Sequence, residues 1–432
     1  MEIIAIILFV SIFILIMYGY PVALTLGGLS ITYAYFFLDP TAFGAIPPRI
    51  MGVISNYVLL SVPLFVFMGI MLEKSGLAES LLETVAILFG KMHGGLAFAV
   101  ILVGTLLAAS TGIVGATVVT MGLISLPTML KRGYKPEIAT GVIAASGTLG
   151  QIIPPSVVLV LLGSVLNVSV GKLFASSLIP GLVLVAFYII FVFIVSKIKP
   201  EWMPPIPKEE IDKFRESNFY GKVWRAFVLP LILIISVLGS IFLGIASPTE
   251  AAAVGAMGAT ILTLFERKLN FSIIKSVCLE TTHLTSMIFL ILLGATTFSF
   301  VFRELGGDVF LVRLIQEANM TPLAFLFLVM LIVFIAGFFI DFIEIIFIIV
   351  PVVAPVFHKM GVDLIWIGVL LGLNLQTSFL TPPFGFSLFY LKGVAPPSVT
   401  TAQIYRGIIP FILIQLLVLI ISIFIPSLLI IP

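Results

Sequence analysis

The chain has 432 residues, 61% hydrophobic and only 10% charged, with a mean hydropathy of +1.29 and a net charge of +2. Soluble domains carry roughly 25% charged residues, so this composition excludes a water-facing globule. The charge balance and the lack of a basic cluster give no reason to expect a nucleic-acid partner.

Apolar segments run at about 3–19, 21–37, 50–73, 95–130, 137–167, 173–196, 227–245, 248–265, 283–302, 321–357, 363–392 and 404–431. Most are long enough to cross a bilayer core. Inside lipid every backbone amide needs an internal partner, so the segments are read as helices. The short alternating segments of a β-barrel are not visible. The expected class is an all-α polytopic membrane protein. Met1-Glu2 leads directly into apolar residues, without the positive start and small-residue cleavage site of a removable signal, so a retained span is expected. The single cysteine, Cys278, offers no disulfide framework and no thiolate metal site, and is expected to be a small apolar filler.

Residues 197–226 differ from the rest. They hold seven Lys/Arg, five Asp/Glu, and Pro200, Pro204, Pro205 and Pro207, and read as a solvated connector between a first half, 1–196, and a second, 227–432. The halves repeat. Pro127 and Pro355 are 228 residues apart, as are Lys131 and Lys359, Gly133 and Gly361, and the pairs Pro154-Pro155 and Pro382-Pro383; Pro21 and Pro248 are 227 apart. One offset held over this length indicates duplication.

Lys131, Arg132 and Lys135 share one short loop, and Arg267 and Lys268 another. By the loop-charge rule these and the connector belong in the cytoplasm. That is consistent only if 95–130 and 321–357 are re-entrant hairpins that do not cross. Each half then has five crossings, the second half is inverted, and both termini lie outside. Inverted repeats with broken helices characterise many secondary transporters.

The break in the first half is Ala144-Ala145-Ser146-Gly147-Thr148-Leu149-Gly150-Gln151-Ile152-Ile153-Pro154-Pro155-Ser156, within 137–167. Proline removes a backbone donor and clashes with the preceding turn, so the helix must unwind near 148–155. Freed carbonyls there need a partner, and a small cation such as Na+ suits them, with Ser146 and Thr148 close by. The resumed half-helix points its positive end at the same place, which suits a carboxylate. The second copy, within 363–392, is Leu373-Asn374-Leu375-Gln376-Thr377-Ser378-Phe379-Leu380-Thr381-Pro382-Pro383-Phe384-Gly385. Span 173–196 follows the first break.

Hairpin turns are expected at Ser110-Thr111-Gly112-Ile113-Val114-Gly115 and Gly337-Phe338-Phe339-Ile340-Asp341. Asp341 and Glu344 are acids in an apolar hairpin and therefore functional candidates. Asp341 can ligate Na+, carry a proton or cap the second arm. Ser247-Pro248-Thr249-Glu250 fits a capping box, so Ser247 and Glu250 are expected to cap a helix. His93, His283 and His358 form no ligand cluster. No G-x-x-x-x-G-K-[ST] phosphate loop, H-E-x-x-H pair or Ser/His/Asp set is present, so neither ATP-driven nor enzymatic chemistry is expected, and energy must come from an ion gradient.

With these residues in hand, the chain resembles the large membrane subunit of tripartite ATP-independent periplasmic (TRAP) transporters. The resemblance rests on Gly19-Tyr20-Pro21-Val22-Ala23, Ala109-Ser110-Thr111-Gly112 with Pro127, Gly147-Thr148-Leu149-Gly150 through Pro154-Pro155-Ser156, Ser247-Pro248-Thr249-Glu250-Ala251-Ala252-Ala253, and Asn374-Leu375-Gln376-Thr377 through Pro382-Pro383-Phe384-Gly385. They cover nearly the whole chain in family order. More distantly, hairpin plus broken helix is similar to the divalent-anion/Na+ symporters, with elevator-type movement.

The resemblance implies a Na+-coupled importer of an organic acid in the bacterial inner membrane, with Na+ as coupling ion and no organic cofactor. It also implies two partners, a small four-helix membrane subunit and a periplasmic substrate-binding protein. By analogy one Na+ site joins Ser110, Thr111 and Gly112 to Ser146, Thr148 and Gly150. A second joins Gly337 and Asp341 to Asn374, Gln376, Thr377 and Thr381. Substrate contacts are expected at Thr148, Ser156, Asn374, Thr381 and Gly385. Glu344 and Phe384 depart from the family pattern, which has smaller residues there, and this bears on pocket size. The alternative is a stand-alone Na+- or H+-coupled organic-anion symporter that needs no binding protein.

Overall fold

The computed structural model describes residues 1–112, 114–216, 221 and 223–426. Ile113 of the first hairpin turn, Lys222 of the connector, and the side chains of Lys213, Arg215 and Glu216 lie outside the described residues.

The described chain is helical throughout. The first half contains α1 (Glu2–Met17), α2 (Val22–Phe37), α3 (Ile46–Ile54), α4 (Ser61–Lys74), α5 (Leu77–Leu88), α6 (Gly95–Thr111), α7 (Val114–Lys131), α8 (Pro136–Thr148), α9 (Val157–Leu166) and α10 (Val170–Ile198). A short α11 (Lys208–Glu216) lies in the connector. The second half contains α12 (Leu229–Phe242), α13 (Pro248–Phe265), α14 (Phe271–Glu304), α15 (Gly307–Glu317), α16 (Pro322–Ala336), α17 (Phe342–Lys359), α18 (Leu364–Leu380), α19 (Phe386–Val394) and α20 (Thr401–Phe424). Among the described residues, eight helices are long and apolar enough to cross a membrane.

The duplication is visible in the elements themselves. α7 and α17 lie 228 residues apart at both ends (114 against 342, 131 against 359). Each pairs with the helix before it as a hairpin, and each half has one interrupted helix, α8–α9 and α18–α19. Two sets of helices result. In one, α2 packs on α14 and α4 on α13; in the other, α8 packs on α6, α7 and α20. The sets meet where α4 crosses α6 and α14 crosses α17.

Several elements differ from the sequence expectation. The stretch 50–73 is not one span: α3 precedes a turn at Ser55-Asn56, where the Asn56 side chain accepts from Val58 N at 3.0 Å, and the membrane helix begins after it. α5 and α15 were not expected, because each is too short and too charged to read as a crossing. In α5, Leu77, Ala78, Leu81, Leu82, Val85 and Ala86 are buried while Glu79 and Glu83 are exposed, which is the helical period of a helix lying against a surface. α14 starts at Phe271 rather than near 283, with Asn270 accepting from Ile273 N at 2.9 Å.

The connector keeps its described charged residues exposed and also straps the first half through a few buried apolar residues. Met203 and Ile211 are fully buried. Gly94 N donates to Met203 O at 3.0 Å, Lys135 N to Trp202 O at 3.0 Å, and Ile206 N to Gly90 O at 2.8 Å. Arg132 grips Glu210 with two hydrogen bonds of 3.0 and 2.6 Å. The ammonium groups of Lys135 and Lys199 lie 3.8 and 4.2 Å from the centre of the Trp202 ring. Charge count alone hid this, since the apolar residues of the strap are few and separated by proline.

Candidate functional site

Pro154 and Pro155 end the first helix as chemistry requires. α8 stops at Thr148, one tight turn covers Leu149–Gln151, and α9 restarts at Val157. Ser156 closes the gap: its hydroxyl donates to Gln151 O at 2.8 Å and accepts from Leu159 N at 3.4 Å. The two breaks share a cis peptide, Pro154-Pro155 and Pro382-Pro383.

The first hairpin tip sits on this break. Gly112 reverses the chain with φ +62, and a Cβ there would stand 3.0 Å from Val157 N, at the start of the resumed helix. A Cβ on Gly150 would stand 2.1 Å from Ala108 O, and one on Gly104 2.4 Å from Ser146 Oγ. Only glycine permits these approaches. Ser110, Thr111, Ser146 and Thr148 are all buried around the contact. Ser110 Oγ donates to Leu107 O at 2.8 Å, Ser146 Oγ to Ile143 O at 3.1 Å, and Thr148 Oγ1 to Ala145 O at 2.9 Å, while the Thr111 and Thr117 hydroxyls lie 2.8 Å apart. A hydroxyl that donates to a carbonyl keeps its lone pairs for another partner.

The second copy has the same plan with a later break. α18 is unbroken through Leu380, so Asn374, Gln376 and Thr377 project from an intact helix and the gap falls at 381–385. Thr377 Oγ1 donates to Leu373 O and Thr381 Oγ1 to Thr377 O, both at 2.8 Å. Asn374 Nδ2 donates to Met330 O of α16 at 2.7 Å. A Cβ on Gly337 would collide with Ser378 Oγ, so the second tip is seated on the last turn of α18, just before the second break. Asp341 accepts from Phe342 N at 2.7 Å, and Glu344 accepts from Asp341 N at 3.3 Å, so the two acids form a capping box at the start of α17. Gly385 is buried, with Phe379 O and Thr381 O each 3.0 Å from where its Cβ would be. Phe384 is 59% exposed, and its ring centre lies 5.4 Å from that of Phe339, so this pair bridges the second tip and break.

Ser247 and Glu250 form the expected box: Ser247 N donates to Glu250 Oε2 at 2.8 Å, and Glu250 N to Ser247 Oγ at 3.3 Å. They cap α13 rather than serve the breaks.

The two copies interlock. α7 lies along α19 and α17 along α9, so the second arm of each hairpin supports the other half's resumed helix. Ser387 Oγ donates to Ala144 O at 3.2 Å, and a Cβ on Gly372 would stand 3.3 Å from Ile152 Cδ1. Gln151 is a residue that the ligand sets omitted. It is fully buried, and neither atom of its side-chain amide has a hydrogen-bond partner. Gln376 is equally buried; it lies next to the Tyr188 phenol without completing a hydrogen bond. The signal for Gln151 was its place three residues before the Pro pair.

Residues 9–428 match the sequence model of a family described as tripartite ATP-independent periplasmic transporter, DctM component. The chain belongs to this family. Its TRAP relatives include the C4-dicarboxylate TRAP transporter large permease protein of Pseudomonas aeruginosa, 31% identical over 401 residues, which are 93% of this chain and 92% of the relative. The isethionate TRAP transporter permease protein of Oleidesulfovibrio alaskensis is 30% identical over 87% of this chain but only 58% of its own length. Among solved structures, the YdaH transporter of Alcanivorax borkumensis covers 95% of this chain and 97% of its own with a TM-score of 0.67 at 12% identity, which shows a shared fold. This TRAP permease subunit is thus a multi-pass membrane transport protein.

Proposed function

We propose that the chain is the large permease subunit of a Na+-coupled importer of an organic acid in the bacterial inner membrane. The seating of the first hairpin tip on its break, Gly112 on Val157, and of the second on the helix turn that leads into its break, Gly337 on Ser378, carries this reading. Each contact buries hydroxyl and amide oxygens beside interrupted backbone, the chemistry a small monovalent cation recruits. Na+ bound at Ser110, Thr111, Gly112, Ser146, Thr148 and Gly150 would tie one tip to its break. Na+ at Gly337, Asp341, Asn374, Gln376, Thr377 and Thr381 would tie the other. The N-terminal ends of α9 and α19 then present free amides to a carboxylate near Thr148, Ser156, Asn374, Thr381 and Gly385.

The hairpins, broken helices, α10 and α20 form the moving core in this reading, with spans 1–3 of each half as scaffold and the second half inverted. Elevator-type movement would carry the two sites across together. The names of the relatives support an organic-acid cargo: one is a C4-dicarboxylate permease. The extra length of the isethionate permease leaves room for a second component, in line with a separate small four-helix subunit here. A periplasmic binding protein would deliver the cargo.

The test is uptake in proteoliposomes containing this chain, the small subunit and the binding protein. Uptake is expected only with an inward Na+ gradient; undiminished uptake without one rejects the coupling.

A further inference from the structure

A cavity of about 610 Å³ lies away from both breaks, between α3 and α14 on one side and α9 and α17 on the other. Its volume is that of a small-molecule site. Its charge is one-sided: Arg49, Arg303 and His358 line it, and no Asp or Glu does. Both guanidinium groups are held by the last turn of α14. Arg49 stacks 4.5 Å over the Phe300 ring, and Arg303 donates to Ser299 O at 3.3 Å and to Ser299 Oγ at 3.2 Å. Ion pairs among the described residues join Lys74 to Glu280, Arg132 to Glu210 and Arg313 to Glu2, and engage neither of these arginines. Two oriented, uncompensated guanidinium groups in one concave wall are a site for a planar oxyanion.

Both walls add neutral donors. Asn56 and Asn167 both line the cavity, and Asn56 Nδ2 donates to Ser164 Oγ of α9 at 3.3 Å where the two walls meet. α9 and α17 are also the resumed helix of the first break and the second arm of the second hairpin. The cavity therefore shares its walls with the candidate transport site, on the side that the loop charges assign to the outside. By contrast, the breaks themselves contain no Lys or Arg.

We propose that this cavity is a receiving site for carboxylate anions, in which Arg49 and Arg303 hold the cargo before it reaches the neutral oxygens and helix ends of the breaks. The assignment rests on the organic-acid reading above. Recessed volume favours a small anion over a flat acidic protein surface, since a protein partner would meet the rim rather than fill the interior. The division also has a physical use. Cationic side chains raise the local anion concentration, while a break without fixed cations can release the anion again once Na+ leaves.

The experiment uses the full chain with Cys278→Ser and Thr296→Cys, in phosphatidylcholine nanodiscs. Thr296 lines the cavity, so the new thiol reports its potential. An anionic methanethiosulfonate is expected to label it about tenfold faster than a cationic one. Succinate, lactate or gluconate at matched ionic strength is expected to slow labelling. Arg49→Gln with Arg303→Gln should abolish both effects; the pair Arg49→Lys and Arg303→Lys, which keeps the charge, should retain the rate preference and guard against a folding artefact. Equal labelling rates in the parent, or no protection by any carboxylate, would overturn the proposal. Protection seen only when phosphatidylglycerol is added would make this a lipid-headgroup site instead, and protection seen only with the binding protein would make it a docking surface. Uptake driven by Na+ without carboxylate protection would reject this site alone. Protection without Na+-driven uptake would reject the coupling alone.

Discussion

Thr120 of α7 donates its hydroxyl to Glu73 Oε1 of α4 at 2.5 Å, joining the first hairpin to the helix set that carries α13 and α14. The other carboxylate oxygen, Oε2, is buried without a hydrogen-bond partner. One polar contact thus crosses the boundary that a moving core would have to slide along.

Thr120→Val removes the donor and leaves the carboxylate with neither oxygen satisfied. Losing a bond to a buried charged group costs about 1.5–3 kcal/mol, which lowers the population of this arrangement at least about tenfold. Electron–electron distance measurements between spin labels on α4 and α7 should show a second distance growing at the expense of the first. An unchanged distance distribution would mean the contact does not hold the two sets together.

Thr148→Val and Thr377→Val each remove one hydroxyl at a different break while keeping side-chain shape. The expected result is a higher Na+ concentration for half-maximal uptake in each variant, by about tenfold if one ligand of modest strength is lost. An identical Na+ response in both variants would reject these two residues as ligands.

Gln151→Leu separates stability from transport. Burying an amide with no partner costs about 1–3 kcal/mol, so replacing it with an apolar group should raise the thermal midpoint in detergent. If the amide serves Na+ or cargo, uptake should fall in the same variant. A lower midpoint, or full uptake, would show that Gln151 is an ordinary packing residue.

Gly150→Ala drives a methyl into close conflict with Ala108 O, whereas Gly239 of α12 has open space around it. Overpacking of this kind typically costs about 1–3 kcal/mol. Gly150→Ala should therefore unseat the first hairpin and abolish Na+-dependent protection of that tip from proteolysis. Gly239→Ala should leave protection intact, and equal behaviour of the two would show that close seating of the tip is not required.

Composition and spacing already specified a great deal. An apolar run in lipid has no alternative to the helix, and a proline pair in the middle of such a run breaks it, so the helical class and the two breaks follow from local chemistry and their 228-residue relation from spacing. The Ser247–Glu250 box is equally local. Tertiary packing decided what no local rule reaches. The second break fell later than the first: α18 stays helical through Leu380, whereas α8 stops at Thr148. Asp341 caps α17 because that helix starts beside it, a contact that charge and hydropathy do not specify. The strap at Trp202 and Met203, the crossing of α7 onto α19 and α17 onto α9, and the convergence of Arg49 with Arg303 all join residues far apart in the chain. Such contacts depend on which helix faces meet, and a face is selected by the shape of its partner rather than by the period of its own apolar residues.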